Sequence, residues 1–366
     1  MSDVYTLIGA EASYYTGKVR AYLRYKGIPF EEVLSTRTIY KTVIEPRTGV
    51  RYIPVLISPD DVAVQDTSEI LDFLEARFPE PPVYPTTPVQ RLVASLFELY
   101  ADEWLVLPAM HYRWNFPETN WEFILLEFGG SLHPELPREG QRAAGEKAVK
   151  PFKGALPFLG VTDRTRAAVE AWTLELWEQL GAHFAHHPFL LGTRPSLGDY
   201  ALLGPLYAHL YRDPYPGRLM RERAPAVAAW VERMNAPEPL SGTFLPGDVV
   251  PDTLRPILRR MFAEQLPVLV DTAERVATYL GENPGGGEIP RVIGFHEFRL
   301  DGVTEQRAVF PYAVWMFQRA LDCYQSLGGA DRARADAFLD ACGGRAAMQY
   351  HVPRRVRREH NRLVPA

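Results

Sequence analysis

The sequence predicts an α/β N-terminal domain, an all-α helical domain after it, and a mostly helical C-terminal extension with a β-hairpin. Three observations predict this order. Strand and helix signals alternate at the start of the chain, helical periodicity prevails after it, and proline-rich stretches separate the parts. We expect the α/β domain at residues 1–80, a linker at 81–88, the helical domain at 89–238 and the extension at 239–366.

The composition limits the classes of function. Of the 366 residues, 46% are hydrophobic and 23% are charged, which is typical of a folded globular protein. The formal net charge of -5 supplies no basic field for nucleic acid or an anionic membrane surface. Two cysteines, Cys323 and Cys342, are too few for a disulfide framework or a cysteine zinc cluster. We expect a cytoplasmic protein with a small-molecule substrate, no nucleic-acid or membrane partner and no metal.

The elements of the α/β domain follow in the order βαβ, an intervening polar loop or irregular helix, then ββα. Strand signals lie at Val4–Ile8, Phe30–Leu34, Ile53–Ile57 and Val62–Val64. A helical pattern at 14–26 ends before Gly27. A second helix begins at Asp66, because Asp66-x-x-Glu69 has the spacing of a capping box.

Helical periodicity continues through the rest of the chain. In the helical domain we expect helices at Val89–Leu107, Thr165–His183, Ser196–Tyr211 and Val227–Met234. In the extension we expect helices at Thr253–Leu280, Tyr312–Leu327 and Ala330–Ala341. The dipeptide Asp301-Gly302 between two β-rich runs predicts a hairpin.

Three segments in order resemble the glutathione S-transferase family, in its serine-type members. They are Ser13-Tyr14-Tyr15-Thr16-Gly17, Ile53-Pro54-Val55-Leu56 and Gln65-Asp66-Thr67-Ser68-Glu69. Further on, Ser196-x-x-Asp199 resembles the capping box of that family's helical domain. The resemblance covers about residues 1–235. It implies a thioredoxin-like N-terminal domain, glutathione as co-substrate and a homodimer.

The resemblance also implies a site for glutathione. Ser13 would donate to the thiolate, and Pro54 would be cis, leaving the backbone of Ile53 to pair with the peptide. Asp66 and Thr67, where a helix begins, would hold the γ-glutamyl end. The glycyl carboxylate needs a cation, and Arg37, Lys41 and Arg51 are candidates that the sequence does not rank. The alternative is that Ser13, Asp66 and Thr67 only cap helices.

An electrophile pocket is expected beside the first long helix. Large side chains recur there at Trp104, Met110, His111 and Trp114, although Pro108 interrupts the run, and Tyr14 could enter the pocket. Core packing is the alternative for aromatic residues at helical spacing. Because position 13 is not cysteine, a mixed disulfide with glutathione is excluded there.

Two functions are compatible with these residues. The first is a glutathione transferase that activates the thiolate for addition to, or substitution on, a small electrophile. The second is a non-catalytic protein of the same fold that binds partners through the extension. The histidines His183, His186 and His187 are expected to end a helix rather than bind metal, and the arginine-rich C-terminus to dock on acidic groups or remain solvated.

Overall fold

A computed structural model describes residues 3–366. Up to residue 83 its elements are β1 (Tyr5–Gly9), α1 (Thr16–Tyr25), β2 (Phe30–Leu34), α2 (Arg37–Ile39), α3 (Glu45–Thr48), β3 (Val55–Ile57), β4 (Ala63–Gln65) and α4 (Thr67–Arg77). A π-helical turn, Tyr40–Ile44, joins α2 to α3. For this segment the sequence leaves open a polar loop or an irregular helix, and the structure has the irregular helix.

The next part of the chain is helical, with α5 (Pro88–Glu103), α6 (Val106–Trp114), α7 (Pro117–Leu132), α8 (Arg138–Ala148), α9 (Lys150–Gly154), α10 (Arg166–Phe184), α11 (Leu197–Ala208), α12 (Pro214–Arg223) and α13 (Pro225–Asn235). The remainder contains α14 (Arg255–Glu282), β5 (Phe295–Leu300), β6 (Val303–Ala308), α15 (Tyr312–Gln325), α16 (Gly329–Cys342), α17 (Arg345–Met348), β7 (Val356–Glu359) and β8 (Arg362–Pro365). The predicted fold class, α/β followed by α with a hairpin-containing extension, is confirmed.

The sheet of the α/β part has the strand order β2-β1-β3-β4. Strand β1 is parallel to β2 and antiparallel to β3, which is antiparallel to β4. Gly9 is in register with Leu34, Ile8 with Val55, and Val55 with Gln65. The C-terminal ends of β1, β2 and β4 therefore meet the start of β3 at one end of the sheet.

The sequence predicts a single helix at Val89–Leu107, whereas the structure has two helices there, α5 and α6. Helix α5 ends at Glu103, and α6 begins at Val106 and includes Pro108. Pro108 is the third residue of α6, where a backbone N–H has no acceptor within the helix, so proline is tolerated. The helical run is nevertheless interrupted at residues 104–105, immediately before this first turn of α6, so the interruption expected near Pro108 is observed.

Helices α7 and α8, each of which contains two glycines, are not predicted individually from the sequence. The structure uses these glycines for close packing. A Cβ on Gly129 would lie 1.7 Å from the carbonyl oxygen of Gln141, and one on Gly145 would lie 2.1 Å from that of Leu125. Both positions need glycine because the two helix backbones touch there.

The extension contains two hairpins. The predicted one is confirmed as β5 and β6, joined by Asp301 and Gly302 with φ of 47° and 79°. The second, β7 and β8, is not predicted, and its turn residues His360 and Asn361 also have positive φ, 49° and 62°. Within the arginine-rich C-terminus, Arg355 pairs with Asp322 at 2.6 Å, so this arginine docks on an acidic side chain.

The chain divides into two compact units. One contains residues 3–83, 109–155 and 200–242, and the other contains 84–108, 156–199 and 243–366. Segments of the helical part thus occur in both units, and the domain boundaries expected from the sequence stay a prediction. Over residues 3–366, none of the helices has both the length and the apolar character that crossing a bilayer requires.

The histidine run near the end of α10 gives a pH-dependent contribution to stability. His183 is fully buried, and its ring nitrogens lie 2.8 Å from Thr253 Oγ1 and 3.2 Å from the carbonyl oxygen of Phe189. Burial lowers the pKa of His183 to about 4. Since the unfolded ring takes up a proton below about pH 6.5 and the folded ring stays neutral, stability falls as the pH drops from 6.5 towards 4.

We expect the free energy of unfolding to decrease between pH 7.5 and pH 5 by about 2 kcal/mol through His183. Urea unfolding at both pH values measures this decrease. The variant His183→Asn, which cannot titrate, should lose about that much less stability than the wild type over the interval. Equal losses in both proteins would show that another group causes the pH dependence.

Candidate functional site

The candidate site lies where the four strand ends meet. Ser13 follows β1, Ile53 and Pro54 precede β3, and Asp66 and Thr67 follow β4. Neighbouring strands lie about 4.8 Å apart, so the end of β4, two strands from β1, is about 10 Å away. A fully extended tripeptide has about the same length. The register thus brings together the three segments that the sequence singles out.

Ser13 is half-buried at the start of α1. Its backbone N–H donates to the carbonyl of Ala10 at 3.1 Å. Its Oγ accepts from the backbone N–H groups of Tyr15 and Thr16 at 3.3 and 3.2 Å. A hydroxyl accepts two hydrogen bonds and donates one, and no residue in the described range accepts the Ser13 proton. Ser13 therefore caps α1 and still has a proton to donate.

The end of β1 has no room for a side chain at position 9. A Cβ on Gly9 would lie 2.3 Å from Cγ2 of Thr16, which is fully buried. Tyr5 occupies the other end of the strand, where its hydroxyl accepts from Arg77 Nη1 at 3.5 Å. Neither Gly9 nor Tyr5 therefore places a hydroxyl at the candidate site, whereas Ser13 follows this end of β1.

The Ile53-Pro54 peptide bond is cis, which confirms the expectation from the resemblance. Pro54 is buried and Ile53 is half-buried. Over residues 3–366, the backbone N–H and C=O of Ile53 form no hydrogen bond. Strand β3 begins two residues later, so these groups stand just outside the sheet ladder. They are available to a peptide that runs along this end of the sheet.

Asp66 caps α4 in a left-handed backbone conformation, with φ of 85°. Its Oδ1 accepts from the N–H of Ser68 at 2.9 Å, and its carbonyl accepts from that of Ile70 at 2.8 Å. Positive φ at a residue other than glycine costs energy and recurs at binding sites. Thr67 is buried, and within the described part of the chain its N–H has no acceptor. A carboxylate can accept from such a helix N-terminus.

The three candidate cations differ in their surroundings. Arg51 is exposed and donates to Oε2 of Glu45 at 2.9 and 2.8 Å, a bond that raises the pKa of Arg51. Arg37 and Lys41 are also exposed and follow the end of β2. Neither forms an ion pair with any residue from 3 to 366. Arg51 is thus committed to a carboxylate, whereas Arg37 and Lys41 are not.

The side chains predicted to form the electrophile pocket are all buried. Tyr14 is 7% exposed and packs edge-on against His209, with ring centroids 5.4 Å apart. On α6, Trp114 donates to the sulfur of Met110 at 3.4 Å, and the ring of His111 lies 2.9 Å from the amide nitrogen of Asn115.

Trp104 belongs to the other compact unit. Its ring lies edge-on to Phe298 at 6.1 Å, and the guanidinium of Arg307 lies 5.0 Å from the ring centroid. These are contacts of packed interiors. The assignment of the five residues to an electrophile pocket stays a prediction.

The environment of the Ser13 loop includes charged groups that the sequence does not point out. Glu11 accepts from the hydroxyl of Tyr207 at 2.9 Å and lies 3.1 Å from Arg20. Burial, together with Glu11, raises the pKa of Tyr207 to about 12. Burial also lowers the pKa of His209 far below its ordinary value, so this ring is neutral. Arg113 reaches the same loop from α6. No local sequence pattern marks this role of Arg113, because its acceptors Asp213 and Ala12 lie 100 and 101 positions away along the chain.

Comparison with known protein families gives two matches. Residues 7–82 match the model of the glutathione S-transferase N-terminal domain. Residues 166–233 match the model of the glutathione S-transferase C-terminal domain. The first match includes Ser13, the Ile53-Pro54 bond and Asp66, and the second includes the Ser196-x-x-Asp199 motif. No curated protein sequence matches the chain.

Similar solved structures include a glutathione S-transferase from Methylobacterium radiotolerans in complex with glutathione sulfonate. It is 24% identical, the match covers 66% of this chain and 98% of that one, and the TM-score is 0.41. A β-etherase from Sphingobium is 19% identical, with coverages of 64% and 96% and a TM-score of 0.46. A rice enzyme in complex with glutathione is 21% identical, with coverages of 64% and 87% and a TM-score of 0.39. The chain thus resembles the glutathione S-transferase family over residues 7–82 and 166–233.

Proposed function

We propose that this chain is a member of the glutathione S-transferase family that activates the thiol of glutathione and transfers it to a small electrophile. One observation carries the proposal. The Ser13 hydroxyl accepts two backbone N–H groups at the start of α1 and keeps its own proton for a further acceptor. A hydroxyl donor at a helix N-terminus stabilises a bound anion, here the thiolate, relative to its protonated form.

The chemistry needs a thiolate. A free thiol has a pKa of about 8.5, so only a few per cent is ionised at neutral pH. Lowering that pKa by about two units takes about 2.7 kcal/mol of preference for the anion. A charge-assisted hydrogen bond from Ser13, together with the positive end of α1, can supply this preference. The thiolate then attacks the electrophile.

The rest of the tripeptide has a complementary partner at each part of the site. The backbone of Ile53 pairs with the peptide, the N–H of Thr67 donates to the γ-glutamyl carboxylate, and the Asp66 carboxylate accepts from the ammonium group. Arg37 and Lys41 are the candidates for the glycyl carboxylate, since Arg51 is already paired with Glu45. The family also supports a homodimer in the cytoplasm as part of the proposal.

Isothermal titration with reduced glutathione tests binding, and conversion of 1-chloro-2,4-dinitrobenzene tests transfer. In that assay the thiolate forms a C–S bond at the carbon that carries chlorine, and chloride leaves. We expect both heat of binding and turnover. Absence of heat at millimolar glutathione would contradict the proposal and would leave the non-catalytic binding protein. Binding without turnover of any tested electrophile would contradict the transferase activity alone.

The two roles of Asp66, as a helix cap and as a ligand for the ammonium group, can be separated with Asp66→Asn. Asparagine caps helices as well as aspartate and tolerates positive φ, so stability should change by less than about 0.5 kcal/mol. The lost charge should raise KM for glutathione by about tenfold, the effect of one charge-assisted hydrogen bond, with kcat unchanged. Thermal unfolding and initial rates measure the two effects. An unchanged KM would show that Asp66 only caps α4 and does not bind the ammonium group.

A further inference from the structure

Arg113 is a buried cation whose hydrogen bonds all go to other parts of its own unit. It is the penultimate residue of α6, and its side chain is 3% exposed. Its Nε and Nη2 donate to the carboxylate of Asp213 at 2.7 and 2.8 Å. Nη2 also donates to the carbonyl of Ala208 at 2.6 Å, and Nη1 donates to that of Ala12 at 2.8 Å. One guanidinium thus joins the end of α11, a buried carboxylate and the loop before α1.

Three of these four bonds fix the orientation of the guanidinium, and none of the three involves the loop before α1. A guanidinium is planar, so the two bonds to Asp213 and the bond to Ala208 determine the orientation of its plane. The direction of Nη1 follows from that plane. The carbonyl of Ala12 therefore meets a donor whose position is set by the helices.

The carbonyl of Ala12 and the N–H of Ser13 belong to one planar peptide unit. Arg113 holds the carbonyl side of this unit, and the carbonyl of Ala10 accepts from its N–H side at 3.1 Å. Both polar groups of the unit that leads into Ser13 are thus bound. Two other side chains bond the loop. The buried Oγ1 of Thr16 accepts from the N–H of Ala10 at 3.4 Å, and Glu11, whose side chain is 46% exposed, lies 3.1 Å from Arg20. Exposed pairs stabilise little, so Arg113 is the buried anchor of the Ala12-Ser13 peptide unit.

We propose that Arg113 is a positioning residue for Ser13, a role that rests on the proposed function. By fixing the Ala12-Ser13 peptide unit, it aims the Ser13 hydroxyl at the sulfur of bound glutathione. It does not touch the tripeptide. Other titratable groups around the loop are Glu11, Arg20, Tyr207, His209, Arg212 and Asp213, and none of them is substituted in the variants below.

The chain offers a matched control for loss of a buried cation. Lys26 lies in the same unit, with its Nζ at 2.5 Å from a carboxylate oxygen of Glu75. It also donates to two carbonyls, those of Phe78 and Pro81, at 2.6 and 2.7 Å. Lys26→Met therefore removes a buried ion pair and two carbonyl contacts, as Arg113→Met does, without touching residues 10–13.

The experiment compares wild type, Arg113→Met, Arg113→Lys and Lys26→Met. Thiolate absorbance near 240 nm against pH gives the pKa of bound glutathione, and initial rates give kcat and KM. We expect Arg113→Met to raise the thiol pKa by about one unit and to lower kcat about tenfold, with KM changed less than about threefold. Arg113→Lys, which keeps the charge and one donor, should recover part of both losses. Lys26→Met should lower thermal stability and leave the thiol pKa at the wild-type value.

Two results would overturn the inference. In the first, wild type binds glutathione with a lowered thiol pKa, and Arg113→Met has the same pKa. In the second, Lys26→Met raises the thiol pKa as much as Arg113→Met does, which would make the effect one of general stability. If the wild type itself binds no glutathione in the titration, the proposed function fails, and this outcome is distinct from both.

Discussion

Ser13→Ala is expected to lower glutathione transfer by about 10- to 100-fold, because a hydrogen bond to a charged group contributes about 1.5 to 3 kcal/mol. Binding of glutathione should stay within a few-fold, because the proposed contacts of Ile53, Asp66 and Thr67 with the tripeptide would remain. The loss should appear as a higher pKa of the bound thiol, measured by thiolate absorbance against pH. An unchanged rate would remove Ser13 from the mechanism.

Alanine also removes the acceptor for the N–H groups of Tyr15 and Thr16, so the cap must be separated from the donor. Loss of the cap costs about 1 kcal/mol of stability. Ser13→Thr keeps both the acceptor and the proton and should retain most of the activity. If Ser13→Thr is as slow as Ser13→Ala while both remain folded, the position needs a small side chain rather than a hydroxyl.

Ser13→Cys reports on the geometry without any electrophile. The introduced thiolate would attack oxidised glutathione, form a mixed disulfide and release one glutathione thiolate, and mass spectrometry detects the adduct. The two native cysteines give little background, because burial raises the pKa of both Cys323 and Cys342. Rapid modification of this variant, compared with the wild type, supports a sulfur position beside residue 13. Absence of the adduct would contradict it.

The first 80 residues were predictable because their signals are local. Turn residues, strand alternation and the cap at Asp66 each act over a few residues, and the observed strands begin and end within two residues of the predicted ones. The order of strands then brings Ser13, Ile53 and Asp66 to one end of the sheet. Because β3 is antiparallel to both of its neighbours, its start lies beside the ends of β1 and β4, and the three motifs form one candidate site.

Other features depend on contacts between distant parts of the chain. Gly129 and Gly145 have the appearance of helix breaks until the partner backbone is known. Arg113 meets Asp213 across 100 positions and the carbonyl of Ala12 across 101, and a backbone acceptor leaves no trace in the sequence. Sequence patterns therefore do not predict that Arg113 anchors the Ser13 loop, although they do identify the loop itself.

Asp199→Ala is expected to cause the largest loss of stability. The Asp199 carboxylate is fully buried, with Oδ2 accepting from the N–H and the hydroxyl of Ser196 at 2.8 and 2.7 Å. Its Oδ1 accepts from the N–H of Leu190 at 2.9 Å. Alanine leaves three buried donors without an acceptor, and each such group costs about 1 to 3 kcal/mol. We expect a loss of at least about 3 kcal/mol, measured by urea unfolding.

Ser196→Ala is the matched control for this prediction. It removes the hydroxyl of the capping box but leaves the N–H groups of Ser196 and Leu190 bound to Asp199, so it should cost only about 1 kcal/mol. The difference between the two variants measures what the carboxylate contributes beyond an ordinary cap, because it also ties the segment before α11 to the helix start. Equal losses would mean that packing alone holds Leu190 and Ser196 in place, and that the buried carboxylate is no more than a helix cap.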